Sequence, residues 1–314
     1  MEFDIVSIGE CMVEFYSDRS FQDTELFFKS YGGDTLNVLA AATRLGSRTG
    51  CITRIGEDHF APFLLQNMLR ERINLSMVKV IPQRKNGIYF ISEFEGDGLD
   101  LAYYRDNSAA ATISVDDLET EYISAARYLY VSGIGQAISN SSRGAVLEAC
   151  RLVKVNKTGM VSYSPHYNAN LWSEEEARKA FQEVLPYIDI LFFEHPYDAM
   201  IITGVTSPDE LIKDLWQQGI RVIALYSPQK ECIVGERHSG MIGAVGAYSP
   251  EQVVGSFGSK EAFIGAFLHG LSRGFDVFEA ARLGNITAGL KMAGRGSIAS
   301  LPVSEDVYKI FGAA

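Results

Sequence analysis

The sequence is poor in the features that most directly give away a function. It has four cysteines, Cys11, Cys51, Cys150 and Cys232, far apart and without a CxxC pair. That argues against a disulfide frame and predicts reduced core thiols. The five histidines, His59, His166, His195, His238 and His269, show no HxxxH or other ligand spacing, so no metal centre is expected from them. Positive charge is in deficit: 28 Lys and Arg stand against 39 Asp and Glu, for a net charge of -11. This balance argues against a nucleic-acid or membrane-surface partner. It leaves room for an anionic small ligand, whose local site can oppose the global charge. No apolar run approaches the length of a membrane span. The opening Met1-Glu2-Phe3-Asp4 lacks the basic start and long apolar stretch of a signal peptide, and the expectation is a cytoplasmic protein. Three catalytic signatures are also missing. The first strand is followed by Gly9-Glu10-Cys11 rather than GxGxxG, and there is no GxxxxGKS/T loop and no GxSxG elbow. A nicotinamide dehydrogenase therefore lacks its glycine fingerprint.

What remains is a globular pattern. Hydrophobic residues make up 47% of 314 and charged residues 21%, enough for one α/β core plus an accessory element. Ile5 to Gly9 reads as a buried first strand. Leu36 to Leu45 has helical periodicity, with Asp34 as candidate N-cap and Gly46 as stop. Strands are expected at Cys51–Ile55, Arg127–Val131, Met160–Tyr163, Ile188–Phe193 and Val222–Tyr226. Helices are expected at His59–Glu71, Ser141–Val153, Glu261–Ser272 and Val277–Ala293, and a capping box at Ser173 to Glu176 opens another, ending at Val184. This alternation predicts an α/β fold with a mostly parallel, Rossmann-like sheet flanked by helices. Val78 to Arg105 instead alternates with period two around a hairpin signal at Glu95-Gly96-Asp97-Gly98. We assign 1–11, 32–77 and 107–314 to the core, and 12–31 with 78–106 to a small β-sheet lid over the carboxyl ends of the core strands. The lid's open edges predict a homodimer formed through it.

The most informative stretch is Tyr31-Gly32-Gly33-Asp34-Thr35-Leu36-Asn37. Paired glycines ahead of a helix let a ligand approach backbone N–H groups. An acid and an amide one turn apart, Asp34 and Asn37, could accept from and donate to sugar hydroxyls. A plain turn and N-cap would look the same.

Longer segments carry a resemblance. Gly32 to Gly46, Arg54-Ile55-Gly56-Glu57-Asp58-His59-Phe60, Ala262 to Leu271 and Asn285-Ile286-Thr287-Ala288 resemble, in order along the chain, the ribokinase (PfkB) family of carbohydrate kinases. Gly9 to Phe15 is similar to the fructokinase opening. Tyr103-Tyr104-Arg105-Asp106-Asn107-Ser108-Ala109 is similar to fructokinases and 2-keto-3-deoxygluconate kinases alike. The resemblance implies transfer of the γ-phosphate of ATP, with Mg²⁺, to a ketose hydroxyl, with fructose slightly ahead of 2-keto-3-deoxygluconate. It implies sugar contacts from Glu14, Gly33, Asp34, Asn37 and Arg105. It implies nucleotide contacts from Lys230, Gly258, Ser259, Lys260 and Asn285, and Glu261 as the base that takes the hydroxyl proton.

The phosphate side departs from that family's pattern. Its Asp-Thr-x-Gly-Ala-Gly-Asp is matched here by Gly255-Ser256-Phe257-Gly258-Ser259-Lys260-Glu261, which puts Glu in place of the basic Asp and Lys in place of a Gly. The mid-chain Asp-x-Asn-x-Arg is matched by Ser164-Pro165-His166-Tyr167-Asn168, the Asn-x-x-Glu by Glu194-His195-Pro196-Tyr197, and the glycine-bearing nucleotide loop by Ser227-Pro228-Gln229-Lys230-Glu231. Phosphoryl transfer rests on positioning and charge neutralisation. The alternative expectation is therefore a pseudokinase that binds sugar or regulates with little or no transfer. His166 and His195 either fill vacated space or take new roles.

Overall fold

The computed structural model describes residues 1–94, 98–228 and 230–313. Glu95, Gly96 and Asp97 of the expected hairpin turn lie outside them, as does Gln229. In chain order the elements are β1 (Phe3–Ile8), β2 (Met12–Ser17), β3 (Phe28–Gly32), α1 (Asp34–Arg44), β4 (Thr49–Gly56), α2 (Ala61–Arg70), β5 (Asn74–Ile81), β6 (Gly87–Phe94) and β7 (Gly98–Tyr104). Then come α3 (Thr120–Ser124), β8 (Ala126–Ser132), α4 (Gly133–Ala137), α5 (Asn140–Asn156), β9 (Met160–Ser164), α6 (Glu174–Val184), β10 (Ile190–Glu194), α7 (Tyr197–Thr203) and α8 (Pro208–Gln217). The chain ends with β11 (Val222–Tyr226), β12 (Cys232–Glu236), β13 (Met241–Val245), α9 (Ser259–Ser272), α10 (Val277–Met292) and α11 (Ser304–Gly312).

Among the described residues, nine strands form one sheet in the order β13-β12-β11-β10-β9-β8-β1-β4-β5. All its pairings are parallel except β11–β12 and β12–β13. The two faces explain the apolar runs of its central strands. Ile5 packs with α1, α9 and α10 in one core, while Val6 and Ile8 pack with α5, α6 and α8 in the other. A strand covered on both sides has no solvent face, so every residue of β1 is buried.

A second sheet, β3-β2-β6-β7, stands apart as the lid. Its boundary differs from the expected one. β5 runs to Ile81 and pairs in parallel with β4, Val78 opposite Thr53, so residues 78–81 belong to the main sheet. β5 is the edge strand of its sheet with several exposed residues, and its mix of apolar and polar positions looks the same in sequence as a lid strand. The β12–β13 hairpin, α7, α8 and α11 were not among the expected elements, although α8 is amphipathic and buries Leu211, Ile212 and Leu215 on one face.

Helix α1 begins differently from expectation as well. Its N-cap is Gly33, and Asp34 is the first helical residue without a capping bond. Gly33 sits at φ 154, and a Cβ there would lie 2.1 Å from the Glu10 carbonyl oxygen. Only glycine lets β1 and α1 approach this closely, and the Asp34 carboxylate is thereby left free to face elsewhere. Among the described residues no helix is long and apolar enough to cross a membrane.

Candidate active site

A cavity of about 270 Å³ opens at the carboxyl ends of the core strands, beneath the lid. Three walls meet there. The start of α1 brings Gly33, Asp34 and Asn37, and the start of α9 brings Gly258, Ser259, Lys260 and Glu261. The lid contributes Met12, Tyr89, Leu101 and Tyr103, with Arg105 just beyond β7. The strand ends add His166, Tyr167 and Glu194. Eight of the residues singled out in the sequence therefore converge, from segments more than two hundred positions apart.

The sugar-side groups are held with unused bonding capacity. The Asn37 Oδ1 accepts the Gly33 N–H at 3.3 Å. Asp34 as a whole is half-buried, but its Oδ2 is shielded from solvent and has no hydrogen-bond partner among the described residues. Burial pushes the Asp34 carboxyl above its ordinary range, while Ser132, its own helix turn, Arg105 and Lys260 pull it back. A buried acceptor without a donor is costly unless a ligand supplies one. The Arg105 guanidinium stands 3.1 Å from the Glu10 carboxylate and 5.2 Å from the centre of the Tyr103 ring. Glu10, held at its other oxygen by the Ser108 hydroxyl at 3.1 Å, thus fixes an arginine that lines the cavity.

The α9 end is the reactive one. Gly258 adopts a left-handed conformation, φ 87, just before the helix. Among the described residues the backbone N–H groups of Lys260 and Glu261 make no bond to a backbone carbonyl, so this helix start turns N–H donors and the positive end of its dipole toward an anion. Burial raises the Glu261 carboxyl from 4.5 to about 7, against the opposing pull of Lys260, with Asp34 and Glu194 pushing the same way as burial. A carboxyl poised there can exchange a proton with a hydroxyl near neutral pH. His166 Nδ1 lies 3.4 Å from Glu261. Burial, then the Lys260 charge, holds that imidazole well below its usual value, so it is a neutral neighbour. His195 does not line the cavity.

Lys260 does not point at open space. Its ammonium sits 3.1 Å from Glu194 and 3.3 Å from Asp198. Burial works against its charge, and the Asp198 and Glu194 carboxylates overcome that and keep it protonated. Both carboxylates of this pair are thus taken up by the ammonium. The residues present do not fit a protein-bound Mg²⁺; an ion arriving on nucleotide phosphates would keep those oxygens and water as ligands.

Three singled-out residues lie elsewhere. Glu14 is fully buried under the lid, where its carboxylate accepts from the Tyr89 hydroxyl at 2.5 Å and from the Ser297 N–H at 3.1 Å, and also from the Ser297 hydroxyl. Asn285 donates to the Val245 and Gly246 carbonyls at 3.0 and 2.9 Å, tying β13 to α10. Lys230 is exposed and outside the cavity lining.

Other groups were not anticipated. Asp198 is 1% exposed and accepts the Tyr167 and Glu194 N–H groups as well as Lys260. Lys291 is fully buried behind Gly258, and its Nζ has no hydrogen-bond partner among the described residues. Burial lowers its pKa, and the Glu93, Glu14 and Glu261 charges counter this. A lysine amid the small and apolar residues of α10 was the available signal, but near a helix end it reads as an ordinary dipole partner.

The pfkB carbohydrate kinase family model matches residues 2–304. The chain belongs to the pfkB family of carbohydrate kinases. Members of this family are transferases that phosphorylate sugar hydroxyls. This pfkB chain is 23% identical over 316 residues to the 2-dehydro-3-deoxygluconokinase of Bacillus subtilis (strain 168), covering 100% of this chain and 97% of that one. It is 24% identical to the 5-dehydro-2-deoxygluconokinase of Shouchella clausii (strain KSM-K16), covering 98% and 94%. Its fold superposes with TM-score 0.90 on a putative ribokinase II from E. coli in complex with ATP and Mg²⁺, at 19% identity and covering 99% and 100%. The ribokinase-like core and lid expected from the sequence are thus present in this pfkB member.

Proposed function

We propose that the protein transfers the terminal phosphate of ATP to a hydroxyl of a keto-deoxy sugar acid of the 2-keto-3-deoxygluconate type. The observation that carries this reading is Glu261. It is a carboxyl raised to about 7 at the start of α9, beside backbone N–H donors and in one cavity with Asp34, Asn37 and Arg105. In this reading Asp34 and Asn37 hold hydroxyls, and Glu261 takes the proton of the attacking one. Gly258, Ser259 and the α9 N–H groups receive the transferred phosphate. Arg105 favours an acidic sugar over fructose, because it offers a planar pair of donors to a carboxylate, and the names of the similar kinases point the same way. Lys230 and Asn285 stay at the nucleotide side in this reading, and Glu14 braces the lid beneath the sugar.

A coupled ADP-release assay across 2-keto-3-deoxygluconate, fructose, ribose and nucleosides tests it. Sugar-dependent turnover strongest with the keto-deoxy acid, and lowered on the order of a hundredfold or more in Glu261→Ala, is the expected result. Equal turnover in the variant would overturn the role of Glu261. One observation favours the pseudokinase reading: the Lys260–Glu194–Asp198 cluster fills part of the phosphate end. Calorimetry that shows sugar binding without any ATP binding would decide for it.

A further inference from the structure

The Lys260–Glu194–Asp198 cluster is built in a way that a chance surface contact is not. Lys260 is the second residue of α9, where a cation meets the positive end of the helix dipole and is disfavoured. Its side chain is only 12% exposed, and the Asp198 side chain only 1%. Asp198 is fixed from three sides, by the Tyr167 N–H at 3.2 Å, the Glu194 N–H at 3.2 Å and the ammonium at 3.3 Å. Glu194 ends β10, and Asp198 lies in the first turn of α7. The short connection between them thus brings two carboxylates to one point at the cavity's end. Asp198 is buried while the Glu194 side chain is 38% exposed, and a buried carboxylate with a second one beside it needs a cation. Two sources are available: a divalent ion from solution, or a side chain.

We propose that Lys260 is a built-in replacement for a divalent metal ion on the Glu194–Asp198 pair, so that the protein itself holds no such ion there and loss of the lysine would open a metal site. The ammonium and a metal would compete for the same two oxygens. The metal needs them at about 2.0–2.1 Å, closer than the ammonium leaves room for. The tethered cation has one charge where a metal would have two. The cluster therefore keeps a net negative charge with both acids ionised, and the anion-receiving work at this end falls to the α9 N–H groups and to Lys291 behind them. This holds whether or not a sugar is phosphorylated.

Mn²⁺ is the probe, followed by electron paramagnetic resonance and calorimetry on the full chain without nucleotide. Wild type is expected to show no Mn²⁺ site that Glu194→Gln removes. Lys260→Ala should gain one site per chain, with Mn²⁺ bound at least roughly tenfold more tightly than by wild type. Lys260→Ala combined with Glu194→Gln should lose it again. Mn²⁺ should also raise the melting temperature of Lys260→Ala and leave that of wild type unmoved. A Mn²⁺ site in wild type that Glu194→Gln abolishes would overturn the proposal, as would a folded Lys260→Ala that gains nothing. The comparison of wild type with Glu194→Gln decides the matter even if Lys260→Ala does not fold.

Discussion

At the scale of the residue, the active end is governed by what burial does to charge. Glu261 is raised from 4.5 to about 7, by burial above all. Between those values the folded protein keeps a proton that the unfolded chain releases. The cost to stability is therefore absent below 4.5, grows as pH rises, and is complete above about 7. Glu261→Gln should accordingly melt higher than wild type at about pH 8, with the gap closing toward pH 4.5; a gap that does not change with pH would remove burial as its cause. The same carboxyl must be ionised to accept a proton, so kcat/KM should rise with pH through an inflection near 7. Stability and turnover are thus expected to move in opposite directions over one window. The cost is tolerable because only the ionised form does the chemistry.

At the scale of the element, two side chains of β6 join the lid to the reactive loop. Glu93 of β6 accepts the Ser256 and Phe257 N–H groups at 2.6 and 3.0 Å, just ahead of α9. Tyr89 of the same strand packs against Phe257 with ring centres 6.0 Å apart. Lid and loop therefore move as one unit while these contacts last. Glu93→Ala should release the loop and raise KM for sugar by roughly threefold to tenfold, with circular dichroism unchanged. An unchanged KM would show that the aromatic packing alone holds the two together. Strand β6 also explains why the lid was readable in sequence. Its residues alternate between buried and partly exposed along most of its length, and that period is local information. The far end of β5 is a similar mix of apolar and polar residues and sits in a different sheet, a distinction made by its neighbours and not by its own residues.

At the scale of the whole molecule, the lid sheet carries exposed apolar side chains along its edges. Phe28 on β3 and Tyr104 on β7, the two edge strands, are 62% and 67% exposed, and Leu26 is 78% exposed. Unpaired edges flanked by apolar side chains favour pairing with another copy. We propose a homodimer through the lid. Light scattering should give twice the chain mass of 34.6 kDa, and Phe28→Asp should return it to one. Because each chain carries a net charge of -11, added salt should tighten rather than weaken the assembly. A single-chain mass at every salt concentration would overturn the dimer.

The sequence by itself determined the alternation of strands and helices, the parallel sheet and the lid, because period and turn chemistry are local properties of a chain. It also marked Gly33, Asp34, Asn37, Arg105 and the Gly258 to Glu261 stretch, because these stand in ordered motifs. Only the tertiary structure decided what those residues meet. It placed Lys260 on Glu194 and Asp198, turned Glu14 to Tyr89 and Ser297, and set Lys291 behind Gly258. Such pairings join positions brought together only when the sheet closes. The charge, burial and acidity of the site are sums over those neighbours, and no single segment carries them.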